Sequence, residues 1–184
     1  YIACLDPLGE DRGKTPYALN PEQYGMFLTE LFNLWYEDWK KGEQPYIRQF
    51  ENYIGILLGY QPESCEQRGS CGTQNVVEAD GSVYPCDFYA LDEYKLGNFN
   101  CNRLEEIDKK RKEIAFVEQS QIVAENCKNC KFYKICKGGC RRNKDFNAMN
   151  GEYENYFCKS YRIFFDICLE RMIQIVEIIK NQKG

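Results

Sequence analysis

The stretch Cys127-Lys128-Asn129-Cys130-Lys131-Phe132-Tyr133-Lys134-Ile135-Cys136-Lys137-Gly138-Gly139-Cys140 sets four cysteines in one short segment. Gaps of two, five and three residues let successive thiolates turn toward a common centre, and Gly138-Gly139 leaves little room for regular structure. Residues 127 to 145 are therefore expected to be loops and short turns. Cys158 follows after a gap of seventeen residues, and an earlier set reads Cys65-x5-Cys71-x14-Cys86. Five ligands are one too many for a four-ligand centre, and three are one too few. The eight divide evenly only if one cysteine crosses between the sets, as in two-cluster ferredoxins.

The remainder of the composition narrows the chemistry. Eleven cysteines without a secretory leader argue for metal or redox chemistry in a reducing, cytoplasmic compartment rather than for a disulfide scaffold. Histidine is absent, so a metal must be held by thiolate or carboxylate, and an acid-base catalyst cannot be imidazole. The 184 residues are 43% hydrophobic and 28% charged, a foldable balance, and no apolar run has the length of a membrane span. A net charge of −4, spread along the chain, gives no global field for nucleic acid or anionic lipid. Lys128, Lys131, Lys134, Lys137, Arg141, Arg142 and Lys144 nevertheless crowd the second cysteine group, where they can offset the negative charge of a four-thiolate centre. Phe132 and Tyr133 would shield it from water. On residues alone, two structural zinc knuckles and two iron-sulfur clusters both remain open.

Around the cysteines the chain reads as α+β. Asn20 and Pro21 supply a cap and a first-turn proline, Gly42 a stop, and Tyr24, Phe27, Leu28, Leu31, Leu34, Trp35 and Trp39 recur at helical spacing, which predicts a helix over 21–41. Residues 45–50 read as a strand and 51–58 as a short helix, the rhythm of α/β units. Asp80-Gly81 between 75–79 and 82–86 predicts a hairpin ending in Cys86. A helix capped by Asn102 is expected over 102–118, with the charge run 108–113 as its solvated face, and a terminal helix over 160–180. The amino end, Tyr1-Ile2-Ala3-Cys4-Leu5-Asp6-Pro7, reads as a buried strand from a larger sheet, so the sequence is expected to be the carboxy-terminal part of a longer chain.

Beyond these readings the chain resembles a known family. The run Cys71-x9-Gly81-x4-Cys86, then Cys127-x2-Cys130-x5-Cys136-x3-Cys140-x17-Cys158, is similar to the seven-cysteine signature of the SPASM extension found after radical S-adenosylmethionine barrels. Asp80-Gly81-Ser82-Val83-Tyr84-Pro85-Cys86-Asp87-Phe88-Tyr89, Cys136-Lys137-Gly138-Gly139-Cys140-Arg141-Arg142, Cys4-Leu5-Asp6-Pro7 and Leu34-Trp35-Tyr36-Glu37-Asp38 resemble the anaerobic sulfatase-maturating enzymes. The resemblance implies that residues 1–63 are the end of a radical SAM barrel with linking elements, and 64–184 a SPASM domain with its terminal helix. It implies two auxiliary [4Fe-4S] clusters, one on Cys65, Cys71, Cys86 and Cys140 and one on Cys127, Cys130, Cys136 and Cys158, with Cys140 as the crossover ligand. Cys4, Cys101 and Cys168 have no place in that pattern, and Cys168 falls on the apolar stripe of the last helix.

The resemblance also implies a reaction. Asp87 would be the general base, a partly desolvated carboxylate beside the first cluster, while a 5′-deoxyadenosyl radical takes a hydrogen from a sulfatase cysteine or serine on the way to Cα-formylglycine. Another SPASM peptide maturase, for instance one forming thioethers, is the nearest alternative. The Cys-x3-Cys-x2-Cys loop for the radical-generating cluster is not found in these residues, because Asn143 stands where Cys136-x3-Cys140 would need its third cysteine. S-adenosylmethionine and a third [4Fe-4S] cluster are thus expected in a preceding segment, and this portion alone should be inactive. Expected partners are a sulfatase peptide or nascent sulfatase and a small electron-transfer protein, with no nucleic acid and no membrane, on a monomeric enzyme.

Overall fold

The computed structural model describes residues 2–43 and 45–182. The expectations for Tyr1, and the two last positions of the 64–184 segment, fall outside them. Helix α1 (Pro21–Lys40) begins as its cap predicts, with the Gln23 N–H donating to Asn20 Oδ1 at 2.8 Å. Its stripe of Tyr24, Leu28, Phe32 and Trp35 is buried. Helix α2 (Arg48–Leu57) replaces the expected strand over 45–50. Residues 45–47 are irregular, and Phe50, Tyr53 and Ile54 then follow the helical period into the core, where burial outweighs the β-preference of the short run Tyr46-Ile47. The last helix, here α8 (Cys158–Gln182), starts two residues earlier than expected.

These three helices form the main core. Phe32, Phe50 and Phe164 pack with centroids 5.3 to 5.9 Å apart, and Tyr53 meets Phe165 edge-on at 5.0 Å. Each such ring contributes roughly 1.5–3 kcal/mol by leaving water. Near the start of both helices Gly25 lies against Ser160, and farther along the Tyr36 hydroxyl donates to Gln174 Oε1 at 3.3 Å, so α1 and α8 run side by side in the same direction. A β-carbon on Gly25 would come within 3.1 Å of the Ser160 backbone.

The expected amino-terminal strand is not formed: residues 2–19 are turns and irregular chain. Their anchor is Asp6, which is 1% exposed and accepts from the N–H of Gly13 at 2.7 Å and from the N–H and hydroxyl of Thr15, both at 2.8 Å. Burial pushes its carboxyl up, but those hydrogen bonds outweigh it and hold the pKa down at about 2. Arg12 then forks onto Asp145, with Nε to both carboxylate oxygens at 3.0 and 2.9 Å and Nη2 to Oδ1 at 2.6 Å, while stacking on Tyr156.

Between α2 and α8 the elements are short. Helix α3 (Cys65–Arg68) precedes an antiparallel sheet of β1 (Val76–Val77), β2 (Ser82–Tyr84) and β3 (Gly97–Asn98) in the order β1-β2-β3. The predicted hairpin is present, with Val77 opposite Val83 and Gly81 at φ +84° in the turn. Helix α4 (Leu104–Glu113) is capped one residue later than expected, because the Asn102 side chain is taken by the Asn98 N–H and Glu106 instead accepts from the Arg103 N–H. The chain breaks at Ala115, φ +47°, before α5 (Phe116–Ser120). Arg111, expected on a solvated face, is 4% exposed and bonds Asn75. Helices α6 (Glu125–Lys128) and α7 (Tyr133–Cys136) and a second hairpin, β4 (Lys144–Asn147) with β5 (Glu152–Asn155), complete the chain. No helix among the described residues is long and apolar enough to cross a membrane.

Candidate metal centres and the adjoining cleft

The cysteines of the first group sit at or near the ends of elements, with Cys71 in the irregular chain between α3 and β1. Cys65 opens α3, Cys71 donates its N–H to Ser120 Oγ at 2.9 Å, Cys86 follows β2, and Cys140 precedes the 3-10 turn Arg141–Asn143. Cys65, Cys71 and Cys140 line one small cavity with Ser120 and Arg141. That approach depends on Gly69. At φ +70° it ends α3, and a β-carbon there would run into the Lys137 backbone. Gly139, at φ +71°, likewise leaves room for the buried Asn155 amide, which donates to Gly138 O at 3.0 Å. The second group is more local: Cys127 lies on α6, Cys130 follows it, Cys136 closes α7 and Cys158 is the first residue of α8, at its positive end.

The electrostatics separate the same two groups. Cys140 feels Cys65 and Cys71, and Cys86 feels Cys140. Cys136 feels Cys158, Cys127 and Cys130. Burial pushes the thiols of Cys86, Cys136 and Cys140 up to about 12, and each is opposed by a backbone N–H two residues on, from Phe88, Gly138 and Arg142 respectively. Thiols that burial and mutual repulsion keep protonated, with amide donors already facing the sulfur, are a donor set that a bound cationic centre converts to thiolates. The residues fit thiolate-ligated metal. Among the described residues no three Cys, Asp or Glu side chains close on a single ion, so these are two neighbourhoods rather than finished coordination spheres.

The basic residues do not act as one group. Lys131 pairs with Asp166 at 2.6 Å and Lys128 with Glu125. Arg141 lies over the Phe116 ring at 4.5 Å and over Tyr89 at 5.3 Å, donating to Phe116 O at 2.7 Å. Lys144 is the one that faces both cysteine groups: burial lowers its ammonium, while Cys127, Cys71 and Cys140 pull it back up, and its Nζ donates to Ser120 O at 3.1 Å. Phe132 belongs to the core against Phe165. Cys168 is fully buried, whereas Cys4 and Cys101 are exposed.

A cleft of about 470 Å³ opens beside the first group, and Cys65, Cys140 and Asp87 all line it. Asp87 is not desolvated as its aromatic neighbours suggest. It is exposed at the start of the 3-10 turn Asp87–Tyr89, where its Oδ1 accepts from the Cys86 thiol and the Phe88 N–H, each at 3.1 Å. The first of those contacts is one a protonated thiol makes and a metal-bound thiolate does not. The cleft also holds Glu66, whose carboxyl is pushed up by burial and accepts from the Tyr161 hydroxyl at 2.5 Å. Sequence reasoning missed Glu66 and its neighbours because nothing in a glutamate beside a cysteine signals that it points inward.

Residues 65–131 match the SPASM model, an iron-sulfur cluster-binding domain. Over 180 residues the chain is 44% identical to the cysteine-type anaerobic sulfatase-maturating enzyme of Clostridium perfringens (strain 13 / Type A), covering 98% of this chain and 49% of that protein. The chain is similar in sequence to the anaerobic sulfatase-maturating enzymes. The serine-type anaerobic sulfatase-maturating enzyme of Bacteroides thetaiotaomicron is 32% identical over 179 residues, covering 96% of this chain and 42% of its own length. The solved structure of native anSMEcpe with bound AdoMet and the Cp18Cys peptide superposes with a TM-score of 0.87 at 43% identity, over 96% of this chain and 49% of that one. The chain thus spans about half the length of the sulfatase-maturating enzymes it matches. Cys136, Cys140 and Cys158 lie beyond the SPASM match, so for them the likeness to the sulfatase-maturating enzymes is the relevant comparison.

Proposed function

We propose that this chain is the auxiliary-cluster and substrate-peptide portion of a radical SAM enzyme that oxidises a sulfatase cysteine or serine to Cα-formylglycine. The observation that carries the reading is the grouping of eight thiols into two neighbourhoods beside a cleft that exposes Asp87. In this reading residues 1–63 are the end of the barrel with linking elements and 64–184 the SPASM domain. Cys65, Cys71, Cys86 and Cys140 hold one [4Fe-4S] cluster, and Cys127, Cys130, Cys136 and Cys158 the other. When bound, such clusters supply one-electron acceptance at a potential tuned by hydrogen bonds to their sulfurs. The N–H groups of Phe88, Gly138 and Arg142 are those tuning donors.

Asp87 takes the side-chain proton of the target cysteine or serine. Its exposure in the cleft leaves the carboxylate reachable by substrate, and the Phe88 N–H orients it. Hydrogen abstraction, S-adenosylmethionine and the third [4Fe-4S] cluster belong to a barrel segment outside these residues, and an electron-transfer protein would drain the electrons released. The test is twofold. Anaerobically prepared protein should contain about eight iron and about eight sulfide per chain; two zinc and no sulfide would defeat the cluster assignment. In the full-length enzyme Asp87→Asn should keep the parent's iron and sulfide content but lose peptide oxidation by at least about a hundredfold. Unchanged turnover would sink the role of Asp87.

A further inference from the structure

Two carboxamides line the cleft without a role at Asp87 or at the cysteines. Gln49, on α2, is 6% exposed, and Gln67, on α3, is 3% exposed, and both line the cleft that holds Asp87. Among the described residues both polar atoms of the Gln49 side chain and the Oε1 of Gln67 are buried without a hydrogen bond. The Gln49 amide faces the phenols of Tyr24 and Tyr53 and favours their ionised forms against burial as a weak hydrogen-bond donor would, yet neither phenol closes a well-formed hydrogen bond with it. Buried polar atoms are costly unless paired, and groups left unpaired in a native fold call for a partner that arrives later.

The chemistry of that partner follows from what is unpaired. Gln49 offers a donor and an acceptor side by side, the complement of the C=O and N–H of one extended peptide residue. Gln67 offers an acceptor alone, the complement of one further N–H. Neither group is charged, so neither discriminates among side chains. The nearby carboxylate, Glu66, is already engaged by Tyr161. We propose that Gln49 and Gln67 bind the main chain of the substrate peptide, Gln49 pairing with the N–H and C=O of one residue and Gln67 accepting the N–H of another. They are positioning residues that present the target side chain to Asp87, and this assignment rests on the reading of the cleft as a peptide site.

The experiment uses the full-length, cluster-loaded enzyme with S-adenosylmethionine under anaerobic conditions. Its probe is a fluorescent sulfatase peptide carrying the target cysteine, bound as such and as a set of analogues in which single amides are replaced by esters, removing one N–H at a time. Against the parent enzyme, an ester at two positions should weaken binding about ten-fold. Gln67→Leu should weaken the all-amide peptide by a similar factor and be insensitive to one of those esters; Gln49→Leu should be insensitive to the other. Iron content of each variant, equal to the parent, reports that the fold is retained. Parental affinity in both variants, or ester effects that add fully to the substitutions at every position, overturns the proposal while leaving the peptide site intact. If the parent enzyme binds no sulfatase peptide at all, the reading of the cleft fails first and the proposal falls with it.

Discussion

Single residues decide whether the first cysteine group assembles, and Gly69 is the most exposed to test. Alanine there would have to adopt a left-handed conformation, at about 1–2 kcal/mol, and push its methyl into the Lys137 backbone. On the proposed ligand assignment, Gly69→Ala should halve the iron content of these residues, removing the proposed centre at Cys65, Cys71, Cys86 and Cys140 while the other remains, as read by iron analysis and by loss of one of two reduced-cluster EPR signals. Asp6 makes a different prediction. Its pKa is held at about 2 against an ordinary value of 3.8, so its ionised form stabilises the fold at all pH values above the ordinary one, and that stability is lost as pH falls through about 2. Asp6→Asn should therefore lower the urea midpoint at pH 7, and the gap between parent and variant should narrow steadily below about pH 4. Equal gaps at pH 7 and pH 3 would assign the loss to packing rather than to charge.

At the scale of elements the α1–α8 contact is the most sensitive. Gly25→Ala gains about 1 kcal/mol of helix propensity but overpacks the Ser160 backbone, which typically costs about 1–3 kcal/mol. A lowered thermal midpoint is expected, and a raised one would mean the helices separate without loss. Which elements were legible in the sequence depends on how local their cause is. The α1 start is written in Asn20-Pro21 and the β1–β2 turn in Asp80-Gly81, each a few residues with one preferred geometry. The strand expected over 45–50 failed because Phe50 finds its place only against Phe32 and Phe164, far away in sequence. Strand β3 is two residues long and left no periodicity to read. The β4–β5 hairpin had a signal that went unused, Asn150-Gly151, with Gly151 at φ +73°. Cysteine spacing is equally local, so the drawing together of the cysteines around Cys140 and around Cys136 could be expected from it. The exposure of Asp87 and the inward turn of Gln49 and Gln67 were not, since each depends on the juxtaposition of α2, α3 and the Cys86 turn.

For the whole molecule, two kinds of cohesion coexist. The α1–α2–α8 core is aromatic, and of the stretch from α3 to β5 it is mainly α7, through Phe132 and Ile135, that joins it; elsewhere that stretch has short elements, a small apolar cluster around Val83, Leu96 and Ile107, and the rings of Tyr89, Tyr94 and Phe116. If the proposed clusters are bound, their chelation should cost most of the order between residues 65 and 157, read as protease cleavage there, while the helical circular-dichroism signal of α1, α2 and α8 survives. Global loss of helix on chelation would show that the core depends on the centres. The parallel pairing of α1 with α8 has one more consequence. Tyr36 and Gln174, which meet across it, are 138 residues apart in the chain. At roughly 5–20 residues per second of synthesis, those 138 residues take roughly 7–28 seconds to make, so for that interval the apolar face of α1 waits on the ribosome without the helix that covers it.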